Sequence, residues 1–260
     1  MIMPKKLHVE TIGAGPPLVL LHGWGWHSGI WDPLLPVLSK KFQVYSLDLP
    51  GFGKSPLVTE NYAIDAILPL ILDAVPPKAN WLGWSLGGLI AWHIAIHMPE
   101  RVTQLITVAS SPKFVQSPQW PGMRESTLQQ FAHSLTTNYQ QTLHDFLTLQ
   151  LRGSAKNQVL FTQLQQQLAR SKPTELPALL GGLALLEQID LRNKLHQTPS
   201  KSLHIFGSHD VLVPAQVADL IQPQLPQGKC IIINRAGHIP FLSQTDVFLE
   251  ALFSELNLSS

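Results

Sequence analysis

The sequence predicts an α/β fold in which a mostly parallel central sheet is flanked by helices and carries a helical lid insertion. The first observation is that short apolar runs, bounded by turn residues, alternate with helix-length segments. Such runs are typical of parallel strands covered on both faces, and the alternation predicts helices on both sides of the sheet. The second observation is that the alternation stops between Ser111 and about Leu195, where Gln and Leu recur with helical spacing.

The predicted elements follow one another in a regular order. The strands cover residues 17–21, 42–47, 79–83, 102–108, 202–206 and 229–233. The helices cover residues 28–40, 63–74, 86–98, 215–222 and 240–256. A chain of 260 residues with this pattern is long enough to bury a sizeable core without disulfides or metals.

The interruption divides the chain into a core, residues 1–111 and 196–260, and a helical lid, residues 112–195. We expect the lid to be an insertion rather than an independent domain. An insertion of this size in an α/β core is expected to cover a site at the carboxyl ends of the strands. The joints of the lid are predicted at residues that break helices, namely Pro112, Pro118, Pro121 and the pair Gly181 and Gly182.

The composition excludes several classes of protein. Charged residues make up 13% of the chain and the net charge is +1, which argues against a charged disordered tail and against a nucleic-acid binder. The single cysteine, Cys230, has no partner for an intramolecular disulfide and favours a reducing compartment. The start lacks the pattern of a signal peptide, and no apolar run is long enough for a membrane span. We therefore expect a cytoplasmic protein that does not bind a membrane.

The strongest local signal is the run Gly83-Trp-Ser-Leu-Gly87, which matches the pattern G-x-S-x-G. It follows a predicted strand and precedes a predicted helix, which is the setting of the nucleophile elbow. A serine on this tight turn exposes its hydroxyl at the sheet edge, and close flanking backbone leaves room only for glycine. Ser85 is therefore the candidate nucleophile, and the alternative is a glycine-rich turn with a buried serine.

A second signal, His22-Gly-Trp-Gly25, directly follows the first predicted strand. At this position of a hydrolase with an elbow serine, a His-Gly pair is typical of an oxyanion loop. The backbone amides of Trp24 and Leu86 are then the candidate donors to a developing oxyanion. The alternative is that His22 is itself catalytic.

The candidate acid and base follow the last two predicted strands. Asp210 comes just after strand 202–206, and His238 comes just after strand 229–233. The chain order Ser85, Asp210, His238 is that of an α/β hydrolase, and all three residues are expected at one edge of the sheet. The alternatives are a surface histidine and a helix N-cap aspartate, and the weaker acid candidates are Asp190 and Asp219.

Other motifs do not point to a metal or an organic cofactor, and we expect none. His93 and His97 lie four residues apart on a predicted helix, but no acidic partner is spaced to complete a metal site. Four tryptophans near the proposed site either line an acyl pocket or support the two loops, and the sequence leaves both possibilities open. They are Trp24, Trp26, Trp84 and Trp92.

The chain resembles the pimeloyl-(acyl-carrier protein) methyl ester esterases of biotin synthesis, within the α/β-hydrolase superfamily. The elbow and the run Asp48-Leu-Pro-Gly-Phe-Gly53 occur in many hydrolases, whereas the tryptophan-flanked elbow and the lid segments are more specific. The segments that carry the resemblance are 20–25, 48–53, 81–88, 107–112, 120–122, 146–150 and 181–182.

The resemblance implies a serine carboxylesterase that releases methanol from the methyl ester of a pimeloyl group carried by acyl carrier protein. It implies the triad Ser85, Asp210 and His238 and substrate contacts from the amides of Trp24 and Leu86. It also implies an acyl channel bordered by the lid residues Phe146, Leu147, Thr148, Leu149 and Gln150. The alternatives are a general short-chain carboxylesterase, a C–C bond hydrolase with a small-molecule substrate, and a ligand-sensing protein of this fold. We expect a monomer.

The charge distribution points to an acidic protein partner. Residues 113–172 contain six basic and two acidic side chains, a net charge of +4. A positive lid can steer an acidic carrier protein to the channel, or these side chains can simply solvate the lid. The stretch 140–145 lacks the arginines that lids of this family can carry, so the carrier-binding candidates are those elsewhere in the lid. They are Arg124, Arg152, Lys156 and Arg170.

Overall fold

A computed structural model describes residues 6–57, 61–152, 157–169, 171–199 and 201–256. Its sheet has seven strands in the order β1-β3-β2-β4-β5-β6-β7 within these ranges. They are β1 (Val9–Ile12), β2 (Pro17–Leu21), β3 (Gln43–Leu47), β4 (Ala79–Trp84), β5 (Val102–Val108), β6 (Ser202–Gly207) and β7 (Lys229–Ile233). Only β1 runs antiparallel to its neighbour in this described sheet. The predicted α/β fold with a mostly parallel sheet is confirmed.

Strand β4 lies at the centre of the sheet, and all six of its residues are buried. In register, Leu21 of β2 and Thr107 of β5 stand on either side of Gly83. The carboxyl ends of these parallel strands therefore meet at one edge, where the segments that follow them can supply a site.

Ten α-helices fall within the described ranges. Outside the lid they are α1 (Leu35–Leu38), α2 (Ile64–Asp73), α3 (Leu86–His97), α8 (Gln216–Ile221), α9 (Pro240–Ser243) and α10 (Thr245–Glu255). The lid contains α4 (Glu125–Thr137), α5 (Tyr139–Leu151), α6 (Asn157–Ala169) and α7 (Leu176–Gln188). None of these helices combines the length and the apolar character needed to cross a bilayer.

Two predicted helices differ from the structure. The prediction of one helix over 28–40 is wrong, because a 3₁₀ helix (Ser28–Trp31) and the short α1 occupy this stretch. Pro33 and Pro36 lack the amide hydrogens that a continuous helix would need. The predicted helix 240–256 is divided at Gln244, whose φ of −137° and ψ of 52° are not helical.

The glycine pair of the lid lies inside α7, so the prediction of a joint at this point is wrong. A Cβ at Gly181 would stand 2.1 Å from Cβ of Tyr62, and one at Gly182 would stand 2.7 Å from the Trp24 indole. These glycines allow α7 to approach the core closely. The signal for a helix break was in fact a signal for close packing.

The two connections between lid and core lie side by side. The amide of Leu191 donates to the carbonyl of Pro112 over 2.9 Å. The Asp190 carboxylate forms ion pairs with Arg192 at 2.7 Å and Lys113 at 3.1 Å. Hydrogen bonds from these two side chains lower the pKa of Asp190 to about 2. Asp190 therefore stabilises the connection between lid and core. This structural role differs from the catalytic role for which it was a weaker candidate.

A buried histidine lies between the sheet and α3. His204 on β6 is fully buried, stacks on Trp92 at 4.3 Å and pairs its Nδ1 with the Thr107 hydroxyl at 2.8 Å. Its Nε2 has no hydrogen-bond partner among the described residues. Burial lowers the pKa of His204 from 6.5 to about 3, so the folded protein holds a neutral ring.

We expect His204 to make the fold sensitive to acid. The unfolded chain binds a proton at this histidine below about pH 6.5, whereas the folded chain does so only near pH 3, so stability falls as the pH drops through this range. The slope from one such group is at most about 1.4 kcal/mol per pH unit. Thermal melts between pH 7 and pH 4 should show a shallower loss of stability for His204→Gln than for the wild type. An unchanged slope would contradict this role.

Candidate functional site

The elbow at Ser85 combines positive φ with very close backbone contacts. Ser85 has φ 54° and ψ −117°, a region that residues with side chains rarely occupy. A Cβ at Gly83 would lie 2.2 Å from the Gly87 carbonyl oxygen, and one at Gly87 would lie 2.3 Å from that of Leu21. Only glycine fits at these two positions, so the turn can hold the serine at the end of β4.

Neighbouring strand β5 holds the elbow in this strained conformation. The Ser85 amide donates to the Val108 carbonyl over 2.9 Å. The Ser110 hydroxyl donates to the Ser85 carbonyl over 2.9 Å. Sequence reasoning missed Ser110, although its position directly after β5 was a signal that could have identified it.

Ser85, His238 and Asp210 form one hydrogen-bonded relay. The Ser85 Oγ and His238 Nε2 atoms are 2.9 Å apart, and His238 Nδ1 is 2.8 Å from Asp210 Oδ2. A carboxylate can only accept, so Nδ1 carries the hydrogen and Nε2 is free to accept the serine proton. The three residues predicted from the ends of β4, β6 and β7 are therefore in contact.

The Asp210 carboxylate is fixed by its own loop. Its Oδ1 accepts hydrogen bonds from the amides of Leu212 at 2.8 Å and Val213 at 3.0 Å. The other oxygen is thereby aimed at His238. Because the side chains of Asp210 and His238 are 0% and 1% exposed, water does not compete for their hydrogen bond.

Two backbone amides are the candidate donors to an oxyanion. The amides of Trp24 and Leu86 donate to no acceptor in the described part of the chain. Leu86 is the first residue of α3, so its amide also lies at the positive end of the helix dipole. The role of these two amides as oxyanion donors stays a prediction.

His22 orients the loop that carries Trp24. Its Nδ1 donates to the Gly23 carbonyl at 2.8 Å, and its Nε2 accepts from the Leu49 amide at 3.0 Å. Burial lowers the pKa of His22 to about 4, which keeps the ring neutral. Both ring nitrogens are engaged, which favours a structural role over the catalytic alternative.

The lid segment 146–150 contributes three buried residues above the site. Phe146 packs edge-on against Trp24 with ring centroids 4.6 Å apart, and Leu147 is buried. Gln150 is fully buried. Thr148 is exposed, and with Leu149 it lines an outer cavity of about 600 Å³ rather than the space over Ser85.

The tryptophans have different roles. Trp26 and Trp84 donate their indole hydrogens to Gln150 Oε1 and to the His238 carbonyl, so they support the loops of the site. Trp24 reaches the lid through the Leu179 carbonyl. Trp92 lies away from the relay, where it donates to the hydroxyl of Thr198.

Two of the four candidate carrier-binding cations lie within the described residues. Arg124 precedes α4 and Arg152 follows α5, and both are exposed. Lys156 and Arg170 lie outside the described residues. Two further lid cations form ion pairs, Lys113 with Asp190, which is shared with Arg192, and Lys172 with Glu175. The charge available for steering is therefore smaller than the sequence count of +4 implies.

The metal alternative at α3 lacks a complete ligand set. The rings of His93 and His97 stack at 4.1 Å, and Lys194 Nζ lies 2.8 Å from Nε2 of His97. Within the described ranges, no group of three or more His, Cys, Asp or Glu side chains is arranged to hold a metal ion.

The arrangement is suited to acyl transfer. A hydroxyl faces an imidazole, a buried carboxylate orients that imidazole, and the amide of Leu86 follows the serine directly in the chain. Ser85 is only 3% exposed, so the nucleophile is enclosed in this conformation.

Sequence comparisons place these features in context. A family model described as the alpha/beta hydrolase fold matches residues 16–245. The chain is 41% identical over 245 residues to a Nitrosomonas europaea protein named pimeloyl-(acyl-carrier protein) methyl ester esterase, covering 94% of this chain and 97% of that protein. A Vibrio campbellii protein of the same name is 41% identical over 249 residues, covering 95% and 96%.

Solved structures agree on the fold. An esterase from Exiguobacterium antarcticum superposes with a TM-score of 0.85 at 21% identity, covering 96% of this chain and 95% of that one. An enol-lactonase from Burkholderia xenovorans superposes with a TM-score of 0.83 at 20% identity, covering 96% of both chains.

Proposed function

Because the chain belongs to the α/β-hydrolase family and, within it, to the pimeloyl-(acyl-carrier protein) methyl ester esterases, we propose that it performs their reaction. It hydrolyses the methyl ester of a pimeloyl group on acyl carrier protein, giving the carrier-linked carboxylate and methanol. The observation that carries this proposal is the enclosed Ser85–His238–Asp210 relay beneath a lid. The names of the relatives supply the substrate.

In the first half of the proposed reaction, Ser85 attacks the ester carbonyl while His238 takes the hydroxyl proton. Asp210 stabilises the imidazolium that forms. The amides of Trp24 and Leu86 hold the oxyanion of the tetrahedral intermediate. His238 then returns the proton to the departing methoxide, so methanol leaves and the acyl group remains on Ser85.

In the second half, a water molecule takes the place of methanol. His238 accepts one proton from this water as its oxygen attacks the acyl-enzyme carbonyl. The same proton passes to Ser85 Oγ when the acyl–serine bond breaks. The free carboxylic acid leaves and ionises in solution, and the enzyme returns to its starting state.

The lid supplies the proposed acyl-binding surface. Phe146 and Leu147 present apolar surface to a methylene chain, which gains free energy by leaving water. Gln150 adds a polar group, since its Nε2 donates to no described residue. We also propose that the enzyme is monomeric and cytoplasmic.

The direct test offers the purified chain two substrates, the methyl ester of pimeloyl on acyl carrier protein and the free monomethyl ester of pimelic acid. Hydrolysis replaces the ester methyl group with hydrogen, so mass spectrometry of the carrier detects a mass lower by one CH₂ unit. We expect kcat/KM for the carrier-linked ester to exceed that for the free ester. Equal values would favour a general short-chain carboxylesterase.

Reversing the charge at Arg152 tests whether the lid steers the carrier. Arg152 is exposed beside the outer cavity of about 600 Å³. We expect Arg152→Glu to lower kcat/KM for the carrier-linked ester about three- to tenfold at low salt, with less effect at high salt. Turnover of the free ester should not change. The matched control is Lys78→Glu, an exposed residue that precedes β4 at the end away from Ser85. An equal loss of kcat/KM in this control would exclude local steering by Arg152.

A further inference from the structure

Gln150 connects the lid to two loops of the site. It is fully buried in the last turn of α5. Its backbone carbonyl accepts a hydrogen bond from the His238 amide at 3.3 Å. Its side-chain Oε1 accepts one from the Trp26 indole at 2.7 Å. One lid residue therefore contacts both the loop of the base and the segment that follows the oxyanion loop.

The indole of Trp26 determines which way the Gln150 amide points. An indole nitrogen can only donate, so the carbonyl oxygen of the amide must face Trp26. The amide nitrogen then faces elsewhere, and it has no hydrogen-bond partner among the described residues. An unsatisfied buried donor is costly, so the bond to Trp26 offsets part of the cost of holding Gln150 in this position.

The backbone of His238 is held from two sides. Its carbonyl accepts from the Trp84 indole at 2.8 Å, which is a contact within the core. Its amide donates to Gln150, which is a contact with the lid. Contacts within the core therefore satisfy the carbonyl of His238, whereas its amide depends on the lid. Any displacement of α5 away from the core would remove the partner of this amide.

We propose that Trp26 and Gln150 form a latch that couples closure of the lid to the placement of His238. In this latch Trp26 is a positioning residue that acts on the base through Gln150. The relay is complete only when α5 is seated, so the nucleophile is activated when the site is closed to water. This proposal rests on the roles given above to Ser85 and His238, but it does not depend on the identity of the acyl group.

The test uses Trp26→Phe, which keeps an aromatic ring and removes the hydrogen-bond donor. The probe is p-nitrophenyl acetate, whose acetyl group has no chain to occupy an acyl pocket. We expect kcat for this ester to fall about tenfold while KM changes by less than about twofold. The matched control is Trp81→Phe, which removes the indole bond to the Arg101 carbonyl at the other end of β4. This control should lose similar thermal stability and keep its kcat.

A second variant keeps the test decisive if Trp26→Phe folds poorly. Gln150→Met removes the amide but keeps the length of the side chain and the backbone carbonyl. It should lower kcat for p-nitrophenyl acetate to a similar extent, and the double variant should be no slower than either single variant. Additive losses would overturn the latch. So would a loss confined to KM of the carrier-linked ester, which would mean that the pair only binds substrate.

The experiment distinguishes a failure of the proposed function from a failure of the proposed latch. A wild-type enzyme that hydrolyses p-nitrophenyl acetate but not the carrier-linked ester contradicts the proposed substrate. The latch is then still decided by the ratio of variant to wild-type kcat on the small ester. A wild-type enzyme that hydrolyses neither ester overturns both proposals.

Discussion

Replacing Ser85 with alanine is expected to lower kcat for ester hydrolysis about 10⁵- to 10⁶-fold. The substitution removes the oxygen that lies 2.9 Å from His238 Nε2, so no acyl-enzyme can form. Mass spectrometry after mixing with an activated ester should show acylated wild-type enzyme and unmodified variant. Full activity of the variant would contradict the assignment of the nucleophile.

Folding provides the control for this variant. Alanine keeps the Cβ of serine, so Ser85→Ala should retain the melting behaviour of the wild type within a few degrees. Ser85→Gly should be equally inactive but more stable, because glycine adopts φ 54° without strain. A loss of activity that follows a loss of folded protein would point to a structural rather than a chemical role.

Replacing Asp210 with asparagine is expected to lower kcat about 10⁴-fold. The amides of Leu212 and Val213 both donate to one oxygen of this side chain, so the asparagine carbonyl must remain there. Its NH₂ group then faces His238 and donates to Nδ1, which moves the ring hydrogen to Nε2. In this tautomer His238 cannot accept the proton of Ser85.

The comparison for this variant is Asp219→Asn, since Asp219 was a weaker candidate for the same role. Asp219 is exposed on α8 and should be replaceable without loss of kcat. Steady-state kinetics on one activated ester measures both variants. A large loss from Asp219→Asn with little from Asp210→Asn would reverse the assignment.

The relay could be predicted from the sequence because each member follows a strand directly. Apolar runs identify strands without knowledge of their partners, and parallel strands bring their carboxyl ends to one edge. Ser85, Asp210 and His238 therefore converge whichever order the strands adopt. The glycines beside Ser85 added a steric signal that the contacts at Gly83 and Gly87 explain.

Features that depend on contacts between distant segments could not be predicted in this way. Strand β1 is mostly exposed and pairs antiparallel with β3, so it lacks the apolar run that identified the other strands. Gly181 resembles a helix breaker until Tyr62 is placed against it. The resemblance identified Gln150 only as a residue of the acyl channel, because its contacts with Trp26 and His238 exist only in the folded chain.

The burial of Ser85 separates affinity from turnover. With 3% of the residue exposed, we expect an ester to reach the hydroxyl only in the fraction of molecules whose lid is raised. An apparent dissociation constant is the intrinsic one divided by that fraction, so a tightly closed lid weakens observed binding. The hydrogen bonds that align the relay are therefore also bonds that must break before the ester can bind. Turnover is expected to be greatest when the closed lid has an intermediate stability.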